Sequence, residues 1–214
     1  MPSELRILGF DTSAAHCAAA LLSGDRLLVQ TSEDMARGQA ERLIPLLEEV
    51  LHKGGLGWQD LDALAVGVGP GNFTGIRIAV SAARGLALGL GIPVIGVSVF
   101  EARAAGLDRP IVVIEDARRD EVYVQTFTPD PDLPRILART SAPDFGSLPL
   151  TGSAAAAIGA ITGAKALVSP YSLAEAIARV AAVKAVQPQP RPAPLYVRAA
   201  DAAPPSDPAP RIVP

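Results

Sequence analysis

Leu61 to Ser98 reads LDALAVGVGPGNFTGIRIAVSAARGLALGLGIPVIGVS. Leu61 to Val68 is apolar without polar alternation, which suits a strand buried on both faces. It opens into Gly69-Pro70-Gly71-Asn72-Phe73-Thr74-Gly75. From Ile76 to Leu90, alanine and leucine lie nearly all round a helical wheel, so the spacing predicts a helix covered on several sides. Ile92 to Val97 returns to strand character, and Ser98 is placed to cap a short helix reaching Ala105. A glycine loop between a strand and a helix is where free backbone N–H groups and the helix dipole favour an anion. This one is not a Walker loop, because Ile76-Arg77 stands where Lys-Ser/Thr should follow the last glycine. Nor is it a dinucleotide fingerprint, since Asn72 occupies the place of the third glycine. From spacing alone, a tight turn letting strand and helix pack closely is the favoured reading.

On the N-terminal side, Arg6 to Phe10 is an apolar run ending in Asp11-Thr12-Ser13. Cys17 to Leu22 and Arg26 to Gln30 follow around the turn signal Ser23-Gly24-Asp25, giving an opening β-meander. A strand-end carboxylate beside two hydroxyls is a candidate holder of a metal-bound phosphate, although a turn is the commoner role. Gln39 to His52 changes period: Leu43, Ile44, Leu46, Leu47, Val50 and Leu51 recur at helical spacing. Pro45 inside that run predicts a kink or a late helix start, and Gly54-Gly55 ends it. Cys17 reads as a core thiol. Glu41, Arg42, Glu48 and Glu49 read as a solvated face.

A second block opens at Arg109-Pro110. Ile111 to Ile114 is apolar and ends in Glu115-Asp116, and Glu121 to Thr128 alternates like a half-buried strand. ILGFDTSAAHCAAA from Ile7 aligns without gaps over VVIEDARRDEVYVQ from Val112, with Asp11 on Asp116. One strand–turn–strand unit used twice is the implication. Pro129 to Phe145 reads as loop with one short strand, and Leu148 to Gly152 as a strand and turn. Leu173 to Val186 is a strong helix, and Leu195 to Val197 is a candidate edge strand. From Pro188 to Pro214 there are nine prolines in 27 residues, so the tail is expected to be extended or disordered and dispensable for folding.

The 214 residues carry 19 Lys+Arg against 22 Asp+Glu, a net charge of −3, which argues against a main nucleic-acid clamp but leaves room for a minor contact in a larger complex. Charged residues make up 19% and hydrophobic residues 49%, so core material is plentiful and the charge to coat it is scarce. A buried partner surface reconciles the two. One cysteine cannot form an intrachain disulfide, and His16 and His52 alone cannot complete a His-based metal site. No signal peptide or membrane span is read, and a cytoplasmic location is expected.

The segments FDTSAAHCAAALL, QAERLIPLLEEVL, LDALAVGVGPGNFTGIRIAVSAARGLALGLGIPVIGVS, DARRDEVYVQ and PLYVRAAD together resemble the bacterial TsaB (YeaZ) family. GPGNFTGIRI is the most specific of them, with Asn72 where the family usually has Ser. The likeness is strong over 5–128, weaker over 129–187, and returns over 194–201. It implies an α/β, actin-like (sugar-kinase-like) ATPase fold with two subdomains from a duplicated βββαβα unit. On that reading 1–107 is the N-terminal subdomain, 108–198 the shorter C-terminal one, and 199–214 the Pro/Ala-rich tail.

The resemblance also implies a non-catalytic subunit. Such a chain supports a TsaD-like transferase in threonylcarbamoylation of the tRNA adenosine beside the anticodon. A TsaE-like ATPase is a further partner, a second copy of the chain an alternative one, and tRNA is met only within the complex. The helices Gln39 to His52 and Gly75 to Leu90 are the implied partner surface, with Leu43, Leu46, Leu47, Val50, Ile78, Ala79, Ala82, Ala83 and Leu86 as candidate contacts. A charge at Ala83, or at its neighbour should Ala83 face inward, is expected to break association. TsaD-like subunits carry a His-x-x-x-His metal pair, and Val99 and Arg103 stand in those places here. Ala117-Arg118-Arg119 replaces the glycines of active ATPases, with Thr151-Gly152-Ser153 as a remnant of the adenosine loop. No catalytic residue and no metal are therefore expected, Asp11, Thr12 and Ser13 are at most a remnant phosphate site, and ATP or ADP is expected only at a junction with the partner. The alternative is a stand-alone enzyme of this fold, either a small-molecule kinase or a glycoprotease-like metallopeptidase.

Overall fold

β1 (Arg6–Asp11), β2 (His16–Ser23) and β3 (Arg26–Asp34) form the expected antiparallel meander, in a computed structural model that describes residues 4–129, 131–141 and 145–198. α1 (Gln39–Lys53) leads to β4 (Ala63–Gly67), which adds parallel to β1 and is buried along its whole length. α2 (Phe73–Leu90) then leads to β5 (Val94–Val97), parallel to β4, completing a sheet of order β3-β2-β1-β4-β5. Pro45 lies within α1 at an exposed position, and the helix starts at Gln39 rather than late. α3 (Val99–Ala104) is capped by Ser98, whose hydroxyl accepts from Glu101 N while Glu101 reaches back to Ser98 N.

The second block repeats the plan. β6 (Ile111–Asp116), β7 (Glu121–Phe127) and β8 (Arg135–Ala138) form a second meander, and β9 (Leu150–Thr151) adds parallel to β6, giving the order β8-β7-β6-β9. Asp11 and Asp116 end equivalent strands. Asp11 pairs with Ala18 and Asp116 with Val122, so six residues separate the first pair and five the second. The gapless alignment therefore slips by one residue at the turn. α4 (Ala155–Thr162) packs on this sheet, and α5 (Leu173–Lys184) follows.

α5 corrects the expected subdomain division. It lies in the second half of the chain but packs on the first sheet, where Ala176, Ile177, Ala178 and Ala181 meet Ile7, Ala63, Ala65 and Ile95. Small residues allow this: a Cβ on Gly9 would stand 2.8 Å from both Ala174 O and the Ala178 side chain. α1 and α2 cover the opposite face, with Leu43, Leu46, Leu47, Val50, Ile76, Ala79 and Ala83 against Leu8, Phe10, Leu64 and Val66.

Leu195 to Val197 is not a strand. Leu195 N donates to Val68 O at 2.7 Å, and Arg198 donates to Ala117 O at 3.2 Å and to the Glu121 carboxylate, so the segment straps one block to the other. The tail 199–214 lies outside the described residues.

Gly67 is packed as tightly as any glycine described, since an added Cβ would stand 1.9 Å from Asp11 Oδ2. Gly67→Ala is therefore expected to cost about 3 kcal/mol, by overpacking and displacement of a buried carboxylate, lowering Tm by roughly 6–12 °C. On α2, Gly89 has nothing within 4 Å of its Cβ position. Gly89→Ala should raise stability by up to about 1 kcal/mol through helix propensity. Thermal unfolding of the two variants separates tight packing from mere loss of glycine.

Candidate functional site

Asp11, Thr12 and Ser13 sit where β1 ends, and all three are buried. Asp11 Oδ1 accepts from Ser13 N and Ser13 Oγ, both at 2.8 Å, and stands 2.7 Å from His16 Nε2. Asp11 Oδ2 is buried against Gly67 with no hydrogen-bond partner. Thr12 Oγ1 donates to Gly75 O at 2.7 Å, and Asn72 N donates to Ser13 O at 2.6 Å. The glycine loop is thus folded down on the strand end. A Cβ on Gly71 would lie 2.2 Å from Ser13 O, and one on Gly75 would lie 1.9 Å from Thr12 O.

This geometry corrects the remnant-phosphate reading of Asp11, Thr12 and Ser13, and the expected helix start at Ile76. α2 begins at Phe73, capped by Asn72, whose Oδ1 accepts from Thr74 N at 3.0 Å and Gly75 N at 3.1 Å. The loop amides that would hold a phosphate are held by a carboxamide of the same chain. The second strand end is equally closed to a nucleotide. Arg118, Arg119 and Asp120 all adopt left-handed backbone at φ 60°, 52° and 58°, a conformation that glycine adopts freely and bulky residues do not. Ser153 N and Oγ both donate to Glu115, at 3.1 and 2.8 Å, so a carboxylate fills the place of the adenosine loop. The nucleotide implied by the fold does not fit these residues.

Val99 is in the core, and the Arg103 guanidinium donates to Glu115 Oε1 at 3.0 Å. No group of three His, Cys, Asp or Glu side chains placed to hold a metal occurs among the described residues. A groove of about 560 Å³ lies between the blocks, lined by Val68, Ser98, Glu101, Arg109, Phe127 and Leu195 among others, and none of Asp11, Thr12 or Ser13 reaches it.

Of the candidate partner contacts, Leu43, Leu46, Leu47, Val50, Ala79 and Ala83 face this chain's own sheet and are at most 1% exposed. That corrects their assignment: the apolar stripe of each helix is its inner face. Ile78, Ala82 and Leu86 are half-buried at the outer edge of α2. Between them Ser81, Gly85, Leu88 and Gly89 are exposed, Leu88 at 86%. Only six of the 18 residues of α2 are buried. By length and composition α2 is apolar enough to cross a membrane, yet its buried stripe packs into the core on one face of the first sheet. Arg84, on the same helix, has a buried Nε with no acceptor among the described residues.

Arg42, expected on a solvated face, bridges β3 and α1: its guanidinium donates to Glu33 Oε1 at 2.5 Å and to Glu49 Oε1 at 2.6 Å. The hydrogen bonds from Arg42 hold both carboxyls below the usual carboxylate range. That contribution is present above the ordinary carboxylate range and is lost as pH falls through the lowered values.

Three comparisons bear on this geometry. A family model for TsaD, tRNA N6-adenosine threonylcarbamoyltransferase, matches residues 31–130. The tRNA threonylcarbamoyladenosine biosynthesis protein TsaB of Escherichia coli K12 is 37% identical over 131 residues, covering 59% of this chain and 56% of that protein. TsaB of Haemophilus influenzae is 39% identical over 126 residues, covering 56% and 52%. The chain thus spans about half the length of the curated relatives it matches. Among solved structures, YeaZ from Pseudomonas aeruginosa superposes with a TM-score of 0.68 at 27% identity, over 90% of this chain and 99% of that one. A P. aeruginosa protein described as similar to the peptidase YeaZ gives 0.72 at 25%, over 91% and 100%. Component A of (R)-2-hydroxyglutaryl-CoA dehydratase from Acidaminococcus fermentans gives 0.56 at 12% identity over 86% of this chain and 100% of that one, a likeness of fold.

Two outcomes test the strand-end geometry. Asp11→Ala leaves Ser13 N, Ser13 Oγ and His16 Nε2 without their acceptor and should cost about 3 kcal/mol in urea unfolding. Burial first, then the Glu33 charge, pushes the Cys17 thiol from 9.0 up to about 11. Its proton is held more tightly in the folded chain, so its contribution is complete below about pH 9 and is lost as pH rises towards 11. A disulfide reagent at pH 8 should label Cys17 only after denaturant is added, and prompt labelling of the folded chain would contradict that.

Proposed function

We propose that this chain, similar over about half its length to TsaB and over most of it to YeaZ, is a non-catalytic subunit of a tRNA threonylcarbamoylation assembly. Its work is to bind a TsaD-like catalytic chain, with a TsaE-like ATPase joining the assembly and tRNA met within it. The observation that carries the reading is the outer face of α2. With only six of its 18 residues buried, this apolar helix leaves the half-buried Ile78, Ala82 and Leu86 and the exposed Leu88 for a partner to cover. Gly85 and Gly89 have open space at their Cβ positions, so a second helix can approach closely.

The strand ends support a non-catalytic role for the same chain. The phosphate loop is filled by Asn72, the second loop carries Arg118 and Arg119, and Arg103 is committed to Glu115. On this reading the isolated chain turns over no ATP, and nucleotide binds only where the partner completes a site. A second copy would cover the same α2 face when the partner is absent.

Ala82 and Ala83 separate this surface from the core. Ala82→Glu and Leu86→Glu should keep the circular dichroism of the parent and weaken association with the TsaD-like chain of the same organism by about a hundredfold, because each strands a charge in an apolar contact. Ala83→Glu points into the sheet and should unfold the chain instead. Size-exclusion chromatography of mixtures reads the first effect. Unchanged complex formation by both outward-facing variants would remove α2 as the interface.

A further inference from the structure

The two most exposed aromatic side chains among the described residues are Phe73, 46% exposed, and Tyr196, 45% exposed, and they touch. Their centroids are 5.2 Å apart with the rings tilted by 32°. Arg77, one turn along α2 from Phe73, lays its guanidinium 3.6 Å over the Phe73 ring. Its Nε donates to Tyr196 OH at 2.9 Å, and no carboxylate pairs with it among the described residues. The cluster joins the first turn of α2 to the strap across 119 residues of sequence. Exposed rings that are held in place and left uncovered have a cost in water, and nothing in the chain's own core is gained by it.

The surroundings carry positive charge on a chain whose net charge is −3. Two residues beyond Tyr196, Arg198 reaches the carbonyl of Ala117, the residue before Arg118 and Arg119. Arg118 has no carboxylate partner among the described residues, and the left-handed backbone of 118–120 displays it on a tight hairpin turn. Of the acids on this turn, Glu121 pairs with Arg198, and Asp116 and Asp120 pair with Arg139. Half-exposed rings, with Arg77 over one face of Phe73, and an arginine with no carboxylate partner among the described residues suit a planar base attached to a phosphate. Bases stack on aromatic faces whatever their sequence, and a guanidinium binds a phosphate oxygen by charge-assisted hydrogen bonds. A protein partner would more naturally bring an apolar cover for the rings, and such a cover leaves the Arg77 charge without a role.

We propose that Phe73, Tyr196 and Arg77 form a docking platform for an unpaired nucleotide of an RNA strand, its base on the aromatic faces and its phosphate on Arg77. The inference rests on the reading that the chain works in tRNA modification, and it adds a direct RNA contact to a subunit otherwise read as a protein-binding one. It is separate from the outer face of α2 that the partner covers, because Phe73 and Arg77 lie in the first turns of the helix and contact the strap.

Fluorescence anisotropy with a short labelled single-stranded RNA and with an unmodified anticodon stem-loop, on the full chain alone and with the TsaD-like partner, tests this. Phe73→Ala and Tyr196→Ala are expected to weaken RNA binding at least about fivefold, as loss of one stacked base does. Arg77→Ala should weaken it and lower the slope of log K against log salt by about 0.7, the loss of one phosphate contact on a single strand. Phe73→Tyr, which keeps the ring, should bind as the parent, and this variant guards against misreading a folding defect. Binding of RNA by the three alanine variants at parental strength, or no RNA binding by the parent in either form, overturns the platform. Loss of partner association instead of RNA binding makes the cluster a protein contact. ATP or ADP affinity lost in these variants while RNA affinity persists makes a free nucleotide the ligand. Either result overturns the proposal. Failure of the parent chain to associate with its partner counts against the subunit reading alone, since RNA binding by the isolated chain is measured independently.

Discussion

The close approach of the glycine loop to the end of β1 fixes most of what else this molecule does. Three side chains are missing where the backbones meet: Gly67 against Asp11, Gly71 against Ser13 and Gly75 against Thr12. A methyl group at any of these would stand within 2.2 Å of an oxygen. With none there, the loop closes, Asp11 is sealed from water, and Ser13 and His16 supply the hydrogen bonds that a buried carboxylate requires. The same closure sets the axis of α2, since Asn72 both receives the helix N-terminus and hangs from Ser13 O. One contact therefore shuts an anion site and aims a helix.

What α2 is aimed at follows from its composition. Its inner stripe of Ile76, Ala79, Val80, Ala83 and Ala87 completes the core on the sheet. Its outer side holds Ser81, Ala82, Gly85, Leu86 and Gly89, too small and apolar to hold water well and with no acid among them. Arg77 and Arg84 are the two charges of the helix, and neither has a carboxylate partner among the described residues. The low charge of the whole sequence is thus visible on an exposed helix face.

The architecture was legible because period and punctuation agree at each element. The unbroken apolar run before Gly67 reads as a doubly buried strand, the Ser98–Glu101 pair as a helix cap, and the Asp11–Asp116 alignment as a repeated hairpin. The facing of the helices was not legible. Leu43, Leu46, Leu47 and Val50 make a stripe that a partner or the chain's own sheet would equally accept, and hydrophobic periodicity carries no label for which. α5 crossing back to the first sheet was hidden because its buried face is mostly alanine, with Gly9 opposite it, and the fit depends on a glycine in another element. The Phe73–Arg77–Tyr196 cluster was hidden for a simpler reason: its halves are 119 residues apart and nothing local in either predicts the other. Asn72, by contrast, stood in plain view as a departure from the glycine fingerprint, and an N-cap reading of it would have moved the helix start to Phe73.

Closure of the glycine loop and placement of α2 depend on the same residue in this chain. A phosphate bound at the loop would need the amides of Thr74 and Gly75, which Asn72 Oδ1 now accepts from. Freeing them for a ligand would remove the cap, worth about 1 kcal/mol, from α2. At the second strand end, Ser153 donates to the Glu115 carboxylate, which also accepts from Arg103 of α3. Each strand end is therefore held by contacts that also fix a neighbouring helix.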